Sequence, residues 1–170
     1  MASSNTARND ATLLGSGASE ACRMGKASWL SVLRRYAVWT VLAHLIWEVL
    51  HLPLYTIWRE ESLWVNGFAV LHCTAGDLLI AGAALALALV VSGTSEWPVH
   101  RFGRVVFVAT LIGVGYTIYS EWLNTEIRAA WAYTDAKPVV PGLGTGLTPL
   151  GQWMLLPPLG MWIARRGKVQ

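Results

Sequence analysis

Two histidines and a glutamate, His44, Glu48 and His51, sit in an otherwise apolar stretch at a spacing that keeps them together. On a helix turning about 100° per residue they fall within an arc of about 60°. Ionisable groups at bilayer depth cost about 2.5–3.5 kcal/mol each unless they are paired or face a wet interior. The stripe therefore demands partners from other segments. His72 and Asp77 in the next apolar segment and Glu121 at the end of the third can supply them. With about 1.5 Å of rise per residue, His51, His72 and Glu121 share an outer layer, Glu48 and Asp77 share the layer beneath, and His44 lies deeper. His72 and Asp77 are about 140° apart on their helix, so both reach one cavity only if that helix is central.

Imidazoles and carboxylates on facing helices suit a transition metal such as zinc, iron or copper. In that reading His51 and His72 are nitrogen ligands and Glu48 and Glu121 oxygen ligands. Asp77 is a ligand or orients one, and His44 is a deeper member. The spacing is neither the His-Glu-x-x-His of zinc proteases nor the paired Glu-x-x-His of di-iron bundles. A haem b would need His44 or His51 facing His72, and the neighbouring carboxylates weigh against it. Two alternatives use the same residues. Histidine and carboxylate alternating with depth suit a proton- or cation-coupled transport component. In an accessory subunit of a membrane complex, the polar groups would only specify helix packing.

The elements that must position these residues follow from composition. The chain is 54% hydrophobic and 14% charged, with its charges confined to short stretches, which marks an integral membrane protein. The expected fold is all-α, a four-helix transmembrane bundle over 29–166, with spans near 35–58, 66–92, 104–123 and 147–164. Residues 1–28, rich in Ser, Ala, Gly and Asn and without an apolar core, read as a disordered cytoplasmic tail, and 167–170 as a cytoplasmic end. Pro53 is expected to kink the first span just beyond His51. Asn66 reads as the N-cap of the second. Thr110, Thr117 and Glu121 form a stripe on the third, the threonines bonding back to their own helix. Residues 126–133 read as a short interfacial helix. Gln152 and Tyr116 read as interhelical hydrogen-bonders and Cys73 as a packing residue.

Four spans put the tail, the 93–104 loop and the C-terminus on one side, and that side carries all but three (Arg59, Arg128 and Lys137) of the thirteen Lys and Arg residues. Excess basic charge marks the cytoplasmic face, so both termini are expected there, in an inner membrane. The partners implied are the lipid bilayer and a homo-oligomer or larger membrane complex. The charge pattern excludes nucleic acid.

Overall fold

The computed structural model describes residues 29–166. The expected tail over 1–28 and end over 167–170 lie outside the described residues. The described chain is helical, without a β-strand and with two isolated bridges. Three segments are long and apolar enough to cross a membrane: Trp29–Leu54, Leu63–Ser92 and Phe102–Ile127. The protein is a helical membrane protein.

Helix α1 covers 29–51 and ends in a 3-10 turn, Leu52–Leu54, rather than continuing to 58. Pro53 in that turn has no amide to donate, and Tyr55 beyond it is extended. After the short α2, Ile57–Glu60, the long α3 runs Leu63–Ser92. Its N-cap is Ser62, whose hydroxyl accepts from the Val65 amide at 3.3 Å. Asn66 is buried inside the helix instead and donates to the Glu61 carbonyl at 3.3 Å. Gly93, with φ 57°, ends α3 in the left-handed conformation that glycine adopts without penalty. Arg101 Nη1 donates to the Ser92 carbonyl at 2.6 Å and fastens the loop to this end.

Helix α4, Phe102–Trp122, passes into a π-helical turn, Leu123–Ile127. No interfacial helix forms over 126–133. The chain from 128 to 146 instead folds back over the end of the bundle. There Tyr55 and Tyr133 form an antiparallel bridge, with Thr56 N–H to Ala132 C=O and Thr134 N–H to Leu54 C=O, both 3.0 Å. Helix α5, Leu147–Arg166, completes the described chain and contains Pro157 and Pro158.

Helix α1 meets α3 through His44 and Asp77, and meets α5 where Trp39 Nε1 donates to the Leu156 carbonyl at 3.1 Å. Helix α4 packs on both α3 and α5. The four long helices thus enclose one interior whose two halves differ. Toward the Gly93 end it is tightly filled: Ala81, Ala84 and Ala88 cluster with Val105, Ala109 and Met161, all 2% exposed or less. Small residues let helix backbones approach closely where lipid supplies no hydrophobic drive. Toward the Tyr55 end the interior holds polar side chains and a cavity.

Candidate intramembrane polar site

The site begins with one face of α1. Tyr36, Thr40, His44, Glu48 and His51, then Tyr55 just past its end, recur every three or four residues, and each is at least 92% buried. The expected stripe of three is therefore a line of six running the length of the helix. His44, 1% exposed, meets Asp77 of α3 at 2.9 Å (Nδ1 to Oδ2), and its ring edge packs on Trp153. His51 Nε2 meets Glu48 Oε2 at 3.1 Å.

Gln152 of α5 joins the two pairs. Its amide nitrogen lies 3.1 Å from Glu48 Oε1 and 2.9 Å from Asp77 Oδ2. An amide NH₂ has two protons, and the two carboxylates use both. Its third neighbour, His44 Nδ1 at 3.0 Å, is then a donor in its own right, giving its proton to Asp77. A continuous chain results, His44–Asp77–Gln152–Glu48–His51, drawn from α1, α3 and α5.

Glu121 of α4 forms a second cluster. Tyr55 donates to its Oε1 at 3.3 Å and Tyr133 to its Oε2, while Lys137 Nζ lies 3.8 Å from Oε2. Lys137 also stands over the rings of Tyr55 at 3.2 Å and Tyr133 at 4.0 Å. Its side chain is wholly buried, and burial pulls its pKa down to about 7 although Glu121 opposes that shift. Burial and the Glu121 charge push the Tyr55 and Tyr133 hydroxyls up.

Between the clusters lies a cavity of about 350 Å³, with Glu48, His51, Tyr55, Asp77, Glu121 and Gln152 in its wall. His51 Nδ1, buried at this wall, has no hydrogen-bond partner. Arg128 is exposed at the rim.

Comparisons with protein-family models, curated proteins and solved structures give no match. What the site does must be read from its own geometry.

Of the residues singled out from sequence, His44, Glu48, His51 and Asp77 share one hydrogen-bonded chain, and Glu121 faces the same cavity from α4. His72 does not join them. It is exposed on α3, stacked on Phe68 at 5.7 Å, and reaches only the cavity edge. Asp77 is the residue that faces inward, as the 140° between the two requires. Thr117 bonds back to the Gly113 carbonyl at 3.0 Å, as expected of it, whereas the buried Thr110 hydroxyl has no partner. Among the described residues no three of His, Cys, Asp and Glu converge as a metal-holding group.

Sequence reasoning missed the centrality of Gln152 and the whole Tyr55–Tyr133–Lys137 cluster. Tyr36, Thr40 and Tyr55 were detectable by extending the His44–Glu48 spacing a turn at a time in each direction. Lys137 had no such signal, because a connection without periodicity brings it in.

Proposed function

We propose that this protein is a proton-coupled transport component, exchanging protons for a cation bound in the outward-facing half of the bundle. One observation carries the reading: the buried polar line from Tyr36 to Tyr55 with the hydrogen-bonded chain His44–Asp77–Gln152–Glu48–His51 at its centre. Buried ionisable chains of this kind are what proton relays in membrane pumps and transporters use.

Charge counting supports an exchange. Three carboxylates, Glu48, Asp77 and Glu121, face three basic groups, His44, His51 and Lys137. Acids and bases match in number, so departure of one proton from the cluster leaves a charge deficit at bilayer depth that a bound cation offsets. Proton and cation thus compete for one deficit. In this reading α5 is the fourth span, both termini are cytoplasmic and the cavity faces the periplasm of an inner membrane, following the basic-residue asymmetry.

A transition metal is a weaker basis for the same residues. Glu48 and Asp77 already accept from Gln152 and a histidine each, and His72 is an exposed residue at the cavity edge. A metal would have to break those bonds to find its ligands.

The reading is tested with proteoliposomes on a solid-supported membrane. A pH jump should evoke a capacitive current as protons enter the buried chain. Glu48→Gln and Asp77→Asn should each reduce that current at least tenfold, while Glu96→Gln, at an exposed position of the 93–101 loop, should not. Wild-type currents no larger than those of empty liposomes would defeat the proposal.

A further inference from the structure

The cavity has a side entrance. Its wall includes His72 and Gly76 of α3 and Tyr116 and Ser120 of α4, all inside the two spans. His72 and Tyr116, the latter 46% exposed, are surface residues at the cavity edge. His72 lies about 14 Å of helix rise beyond Leu63, at acyl-chain depth rather than at the headgroups. A Cβ on Gly76 would meet no atom within 4 Å, so space rather than packing lies there. The tight Ala81–Ala88 seam closes α3 against α4 farther along, and above it the cavity is lined by residues of both helices.

The inner wall specifies what can enter. His51 Nε2 points at a carboxylate, Glu48, and so carries the proton in the neutral ring, which leaves Nδ1 with a lone pair. That lone pair is buried, unpartnered and at the cavity wall, in a residue 7% exposed. It requires a donor. The surrounding carboxylates favour a cation, and the aromatic rings of Tyr55, Trp131 and Trp153 suit both a cation and a chain.

We infer that the cavity binds protonated amphipathic amines, admitted sideways from the bilayer between α3 and α4, with an ammonium N–H on His51 Nδ1 and the apolar chain leaving past Gly76. The inference rests on the proton-coupled reading above and names its cation. It distinguishes a primary, secondary or tertiary ammonium, which has an N–H to give, from a quaternary one, which has none.

The test is binding of radiolabelled dodecylamine to the full chain in nanodiscs of zwitterionic lipid. Unlabelled dodecylamine should displace the label saturably, with dodecanol and dodecyltrimethylammonium at least tenfold weaker. Gly76→Phe should weaken binding at least tenfold by filling the gap, and Ile80→Trp, one turn along the same wall, does so if the first variant fails to fold. His51→Phe should remove the preference for dodecylamine over its trimethyl analogue. Equal displacement by all three compounds, or binding unchanged in both wall variants, would mean partition into lipid and overturn the inference. Saturable amine binding without pH-jump currents would leave the amine site standing and remove the transport reading. Currents without amine binding would do the reverse.

Discussion

Gln152 Nε2 lies within 3.1 Å of Glu48 Oε1 and 2.9 Å of Asp77 Oδ2, so one neutral amide on α5 tethers carboxylates from α1 and α3. The amide keeps two acids of like sign close together, and no cation in the bundle touches them both. A lysine there could donate to both but would add a fixed positive charge. The amide gives one proton to each and leaves the charge of the site to be set by protons and ligand.

Replacing Gln152 by leucine should therefore destabilise the bundle. Each buried acceptor deprived of its donor costs about 1–3 kcal/mol. The loss should appear as a lower midpoint in detergent-induced unfolding followed by circular dichroism. An unchanged midpoint would show that the two carboxylates are not held by this amide.

Lys137 gives stability a pH dependence whose sign can be worked out. Its pKa falls from 10.5 to about 7 on folding, chiefly through burial. Between those values the unfolded chain binds more protons than the folded one, so stability rises with pH across that window. Tyr55 and Tyr133 act oppositely, because a raised tyrosine pKa contributes stability that is lost above the ordinary value of 10. Unfolding midpoints should climb from about pH 7 to about pH 10 and then fall, and Lys137→Met should flatten the rising limb. A slope unchanged in that variant would assign the effect to another group.

Two glycines on α4 should behave as opposites. A Cβ at Gly113 would run into the Trp153 ring, whereas one at Gly115 would meet nothing within 4 Å. Gly113→Ala should cost about 1–3 kcal/mol by overpacking and shift tryptophan emission, since Trp153 must move off His44. Gly115→Ala should be neutral or stabilising by up to about 1 kcal/mol, the helix propensity difference. Equal effects from the two would place Trp153 elsewhere.

Topology is open to labelling. In a chain lacking Cys22 and Cys73, a cysteine replacing Asp135 should react with an impermeant maleimide added to intact spheroplasts. One replacing Ser95 should react only after lysis. Both positions are exposed. The reverse pattern would invert the bundle.

The legible part of this protein was what periodicity controls. Three long apolar runs became three helices, and the spacing of His44, Glu48 and His51 put them on one buried face because a helix admits no other arrangement. The ambiguity between His72 and Asp77 was visible as an angle, but only packing decides which edge of α3 turns inward. Tyr133 and Lys137 were out of reach because an irregular connection carries them, and nothing local says where it lands. The end of α1 was misjudged by a few residues for a related reason: Tyr55 leaves the helix to pair with Tyr133, a contact made across seventy-odd positions of sequence.

Helix α5 is missing from the segments apolar enough to cross a bilayer unaided, yet it contributes the amide on which two buried acids depend. Its residence among the other helices is thus conditional on company. Helices α1, α3 and α4 are each long and apolar enough to cross, but a chain ending before Leu147 would carry Glu48 and Asp77 without their shared donor. The last helix to be made is thus the one that completes the hydrogen bonding of α1 and α3.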